Sequence, residues 1–258
     1  MKKIIVAGLC MMMVLAGCAQ PKQESTSDLE ALKAKGTMVV GITEYAPMDY
    51  QDENGEWIGF DADLARIAAK DLGVEVEFLV IEWDNKFFEL NDKKIDCIWN
   101  GMTICDEVLL NTKCSNAYAK NAQVLVMKKE RLDEVKSEED MKNIQIAVEN
   151  GGSAMGLLDE MGITNYLAVY DQATAMMEVA AGKSDACVVD ITMANALCAE
   201  GKSYADMGYV IELSKEEYGI GFRKDSDLCD AVNDLLDKYM EDGTMQQLSE
   251  KYDVALAE

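Results

Sequence analysis

Three short polar segments carry groups able to hold a small charged molecule: Asn100-Gly101-Met102-Thr103, Asp190-Ile191-Thr192 and Glu149-Asn150-Gly151-Gly152-Ser153, each following an apolar run. A carboxylate such as Asp190 can take an ammonium group out of water, and amides and hydroxyls can orient it. Glycines ahead of Ser153 at a helix start offer N–H groups and a hydroxyl to an anion, although the same pattern also fits an ordinary N-cap. Asp190, too, fits either a ligand carboxylate or a helix cap. Catalysis is not what these residues suggest. The sequence has no histidine, which removes Ser-His and Cys-His chemistry, and it shows no nucleophile motif or metal-ligand spacing. No enzyme activity, cofactor or metal is expected.

The elements that position these segments alternate strand-like and helix-like, the pattern of α/β folding. Met38 to Ile42 reads as a buried strand, Asp61 to Asp71 as a helix with Leu64, Ile67 and Ala68 on its apolar face, and Val74 to Ile81 as the next strand. Gly73 marks the helix end. A short helix over Glu82 to Leu90 and a strand over Cys97-Ile98-Trp99 complete two βα units. Lys94-Ile95-Asp96-Cys97-Ile98-Trp99-Asn100 is echoed by Lys183-Ser184-Asp185-Ala186-Cys187-Val188-Val189-Asp190. Parallel α/β sheets bind ligands outside the carboxyl ends of their strands, so the polar segments at those ends are the places to look for a site.

The chain opens with Met1-Lys2-Lys3, an uncharged run from Ile4 to Gly17, and Cys18 after Leu15-Ala16-Gly17. An apolar run of about 14 residues behind two lysines has the length of an export signal and falls short of the roughly 20 a spanning helix needs. The small residues before Cys18 resemble a bacterial lipobox, which predicts cleavage after residue 17 and lipidation of Cys18. Residues 18–27, rich in polar side chains with Pro21, read as a flexible tether, with folded structure starting near Asp28. Removing Lys2 and Lys3 takes the formal charge from −24 to about −26. Nucleic acid and an anionic membrane surface would both repel such a chain, so membrane contact is expected through the lipid alone. Cys97 and Cys187 sit in apolar runs and read as core thiols, and a Cys105–Cys114 bridge remains open.

The stretch from Gly41 to Leu90 includes Tyr45-Ala46-Pro47, Asn54-Gly55-Glu56-Trp57-Ile58-Gly59-Phe60-Asp61-Ala62-Asp63-Leu64-Ala65 and Leu72-Gly73-Val74. It resembles the polar amino-acid family of extracellular solute-binding proteins that feed ABC importers. Lys94-Ile95-Asp96, Gly101 to Ile104, Ser115 to Tyr118, Asp185 to Asp190, Tyr218 to Lys224 and Asp242-Gly243-Thr244 continue the likeness over nearly the whole chain after the leader.

The resemblance implies an α/β, two-lobed, periplasmic-binding-protein-like clamshell of type II with two crossing hinge strands, near Gln123 to Met127 and Ser214 to Gly221. Lobe 1 would span residues 28–126 plus 216–258, and lobe 2 residues 127–215. It further implies a monomer held by its lipid at the outer face of the cell membrane, which captures an amino acid or related amine and delivers it to ABC permease subunits. The same fold also serves sensing receptors and small dehydratases. The ligand's ammonium would meet Asp190, the carbonyl of Gly101 and the hydroxyl of Thr103, beside Asn100. Tyr45 and Trp83 would sandwich the ligand, and Ser153 would face its carboxylate.

One departure stands out. The family's carboxylate-gripping arginine should fall at or next to Val108, yet the chain reads Thr103-Ile104-Cys105-Asp106-Glu107-Val108. Loss of a bidentate guanidinium leaves three options: a weakly held carboxylate, another cation such as Lys113, or a ligand without a carboxylate. An acidic and aromatic pocket favours amine-bearing ligands over glutamate and aspartate.

Overall fold

The computed structural model describes residues 27–258, so the leader, Cys18 and the tether up to residue 26 lie outside the described residues. The described chain opens on the helix Asp28–Lys35, whose N-cap Ser27 accepts the Glu30 N–H at 3.0 Å. Asp28 and Glu30 in its first turn and Lys33 and Lys35 in its last match the helix dipole.

Two mixed sheets form the framework, beside a small antiparallel pair, Tyr50–Gln51 with Trp57–Ile58. In the first, Thr37–Ile42 runs parallel to Glu75–Val80 and to Cys97–Thr103, and Glu216–Phe222 pairs antiparallel to Cys97–Thr103. In the second, Ile146–Glu149 lies parallel to Tyr166–Val169 and Ala186–Asp190, while Gln123–Lys128 runs antiparallel to Ala186–Asp190 and Met207–Glu212. Ala186–Asp190 is buried throughout and Cys97–Thr103 at every position but Thr103, which is why both begin as apolar runs. The helix Phe60–Leu72 buries Phe60, Ala62, Leu64, Ala65, Ala68 and Ala69, and Gly73 closes it with φ 79°. The segment after Ile81 is a 3-10 turn, Trp83–Asn85, followed by the helix Lys86–Asn91.

Cys97–Thr103 continues past the apolar run because Met102 and Thr103 pair with Gly219 and Tyr218. Tertiary pairing here extends a strand that local hydrophobicity alone would end at Trp99.

The sequence echo has a structural meaning. Asp96 and Asp185 each stand just before a central strand, and each carboxylate accepts the amide of a neighbouring strand's start: Val39 N–H to Asp96 at 2.8 Å, Gln145 N–H to Asp185 at 2.9 Å. Each also has an arginine, Arg223 beside Asp96 and Arg131 on Asp185. The two central strands therefore end at equivalent places, each with a parallel neighbour on one side and a crossing strand on the other.

The chain passes from the first sheet to the second through Ala122 and returns between Glu212 and Glu216. These two connections lie side by side, tied by Leu213 N–H to the Gln123 carbonyl at 2.8 Å and by Gln123 N–H to the Ser214 hydroxyl at 3.0 Å.

Candidate functional site

The carboxyl ends of the two central strands face one cavity between the sheets. Tyr45, Trp83, Asn100, Gly101, Thr103, Ser153 and Asp190, the seven residues expected from sequence, all line it.

From the first sheet, Asn100 fixes the end of the neighbouring strand: its amide accepts the Thr43 N–H at 2.9 Å and donates to the Thr43 hydroxyl at 2.8 Å. Gly101 adopts φ +55°, and a Cβ there would stand 2.5 Å from the Tyr45 ring, so only glycine fits this backbone and this approach. Its N–H donates to Asp61 at 2.6 Å, and the Tyr118 hydroxyl donates to the same carboxylate oxygen at 2.8 Å. Burial pushes the Asp61 carboxyl up to about 7. Thr103 donates its hydroxyl to Glu216 at 2.8 Å. Tyr45 is buried, its ring edge-on to Tyr218 and the two hydroxyls 2.5 Å apart.

Asp190 ends the central strand of the second sheet. It stands at the N-cap position of the helix Ile191–Cys198, yet its side chain makes no cap hydrogen bond there. The carboxylate instead accepts from three side-chain amides: Asn121 at 2.6 Å, Gln172 at 2.7 Å, and Gln123. Three amides hold the group in one orientation without neutralising it. Burial first, and the charge of Glu216 second, push its carboxyl up to about 6. Ser153 is the first residue of the helix Ser153–Glu160 behind the N-cap Gly152, and its hydroxyl accepts from Gln123 at 3.0 Å.

Sequence reasoning missed Lys86 and Gln172 and gave Glu149, in the segment ahead of Ser153, no role; all three share the cavity. Lys86 falls three residues after Trp83 and four before Leu90, on the apolar stripe of its turn, and a lysine at that spacing was the available signal. Glu149 closes a strand buried at all four positions. Its carboxyl is pushed well above the ordinary range by burial and then by Asp190, while burial lowers the Lys86 ammonium.

No guanidinium reaches the cavity among the described residues. Arg66 donates to the Trp57 carbonyl and covers the Phe78 ring, Arg131 pairs with Glu134 and Asp185, and Arg223 pairs with Asp28. Val108 is buried among Trp83, Leu90, Ile98 and Met102. Lys113, one substitute suggested by the sequence, turns away instead: its ammonium is bound to Asp230 at 2.8 Å and to the Ser226 carbonyl at 3.1 Å. Its place in a strand paired with Phe222 faces it toward those residues. All six described cysteines are free thiols, so the Cys105–Cys114 bridge is not formed. Cys105 lines the cavity.

Comparison with known proteins identifies the family and the fold. Residues 38–254 match the family model for bacterial extracellular solute-binding proteins, family 3. The L-cystine-binding protein TcyJ of Escherichia coli (strain K12) is 30% identical over 249 residues, covering 95% of this chain and 93% of TcyJ. A substrate-binding protein of an ABC uptake transporter from Streptococcus pneumoniae, solved with bound histidine, superposes with a TM-score of 0.82 at 28% identity, over 90% of this chain and 99% of that one. An ancestral amino-acid-binding protein, AncCDT-1, a precursor of cyclohexadienyl dehydratase, gives a TM-score of 0.80 at 33% identity, over 88% and 99%. The fold is that of the two-lobed type II periplasmic binding proteins.

Proposed function

We infer the function from one premise: the chain belongs to the bacterial extracellular solute-binding proteins, family 3. It captures an amino acid or related amine between its two lobes, residues 28–126 plus 216–258 and 127–215, and delivers it to the permease of an ABC importer. Lipidation at Cys18 holds it at the outer face of the cell membrane, and the tether gives it reach. The fold and the naming of relatives as binding proteins favour a binder over an enzyme.

The observation that carries the reading is the buried Asp190 carboxylate. It faces the cavity from one strand end, with Gly101 and Thr103 facing it from the other. A desolvated carboxylate oriented by three amides is a receptor for an ammonium group, which gains both the charge-assisted hydrogen bond and the Coulomb attraction of a dry site. Tyr45 and Trp83 add apolar faces for the rest of the ligand. Three carboxyl groups, Asp190, Glu149 and Glu107, line the cavity against a single cation, Lys86. Ligands with a free amine are therefore favoured and glutamate and aspartate disfavoured. A thermal-shift screen over amino acids, amines and small peptides tests this, because a ligand that binds only the folded protein raises the melting temperature. Shifts with amine-bearing neutral or basic ligands support the reading; tight glutamate binding contradicts the charge argument, and a screen without shifts contradicts amino-acid capture.

A further inference from the structure

Lys86 is 3% exposed and its ammonium makes no ion pair among the described residues. It is held by two backbone carbonyls, Gly151 at 2.9 Å and Trp83 at 3.3 Å, and it lies over the Trp83 and Phe87 rings at 5.1 and 4.7 Å from their centroids. Three N–H donors serve two acceptors, so donor capacity is left over. Burying a charge without a paired counter-ion is costly, and such a group persists where something compensates it. Its nearby acids do so incompletely: Glu107 is exposed, and Glu149 is a buried carboxyl that its surroundings drive toward the neutral form.

The bond to Gly151 brings the ammonium to the start of the helix Ser153–Glu160, whose N-cap Gly152 has no side-chain cap. Gly151 and Ser153 line the same cavity as Lys86. A helix N-terminus and a buried lysine thus present positive charge to a cavity that Asp190 also lines.

We propose that Lys86, together with the start of the helix Ser153–Glu160, binds the carboxylate of the ligand in place of the guanidinium that the family pattern sets near Val108. The proposal rests on the amine-binding reading above and sharpens it: the ligand class is the zwitterionic α-amino acid, ammonium toward Asp190 and carboxylate toward Lys86, rather than a simple amine. Lys86 is then a specificity-determining residue reaching in from the first lobe to a helix of the second.

Calorimetry with matched pairs tests this, each pair being an amino acid and its decarboxylated amine: arginine and agmatine, histidine and histamine, cystine and cystamine, and the remaining common amino acids with theirs. The wild-type protein is expected to bind the amino acid of its preferred pair at least about tenfold more tightly than the amine. Lys86→Met should erase that ratio by weakening the amino acid and sparing the amine, and Lys86→Arg should restore part of it. Retained amine binding reports that Lys86→Met is folded; should that variant lose its melting transition, Lys86→Gln is read in the same way. An amine bound as tightly as its amino acid by the wild type, or a ratio unchanged by Lys86→Met, overturns the proposal and leaves amine recognition standing. Binding of neither class overturns the amine-binding reading and this proposal with it.

Discussion

Asp61 accepts the backbone N–H of Gly101 at 2.6 Å, joining the Gly-Phe-Asp segment of the first lobe to the strand end that faces the cavity. The most recognisable signature of the sequence therefore shapes the site without lining it. Asp61 sits one layer behind, fixing a glycine whose left-handed backbone brings Tyr45 close.

Removing this carboxylate strands two buried donors, the Gly101 N–H and the Tyr118 hydroxyl. Asp61→Ala should cost roughly 2–4 kcal/mol in urea unfolding and weaken ligand binding as well, because Gly101 loses its tether. Asp61→Asn, which keeps an acceptor oxygen, should cost less. Unchanged stability in Asp61→Ala would show that the two donors find other partners.

Affinity should depend on pH through Asp190. Burial first, and the charge of Glu216 second, push its carboxyl up to about 6. An ammonium ligand needs the ionised form, so its binding is full from about pH 7 upward and weakens as pH falls through about 6, approaching tenfold per unit once Asp190 is mostly protonated. Binding below that point should release a proton. Titration calorimetry between about pH 5 and pH 8 in buffers of different ionisation enthalpy reads both effects. A flat profile without proton release would remove Asp190 from the ammonium site. Burial first, and the charge of Asp190 second, raise the Glu149 carboxyl as well.

Much of this arrangement was legible in the sequence, and for physical reasons. Strand ends in an α/β sheet are marked by apolar runs that stop on polar residues, and this pattern points to the segments that hold Gly101, Thr103, Asp190 and Ser153. The partners of Asp190 were not legible: Asn121 ends a strand of the first sheet, Gln123 opens a strand of the second and Gln172 starts a helix, and they meet only when the sheets are assembled. Lys86 was hidden for a different reason. Its segment reads as a short helix in which a lysine is ordinarily solvated, and packing against Trp83 and Phe87 is what buries its amine. Lys113 looked the better candidate by nearness to Val108, but the alternation of its strand turns it to Asp230.

Thiol chemistry offers a check on where ligands sit. Cys97, Cys187, Cys198 and Cys229 are buried, and burial pushes the Cys114 thiol up to about 12, so these react slowly. Cys105 is half-buried and lines the cavity. A small alkylating reagent followed by mass spectrometry should label Cys105 first, and a saturating amino-acid ligand should slow that labelling by about tenfold or more. Equal rates with and without ligand would place the ligand elsewhere.

The central claim is that Asp190 receives the ligand's amine, and Asp190→Asn addresses it most directly because it removes the charge while keeping the shape. With the best amino acid from the screen, calorimetry should show affinity falling by at least about a hundredfold, with a melting temperature that confirms a folded protein. Affinity within about threefold of the wild-type value would contradict the claim and put the amine in another part of the cavity.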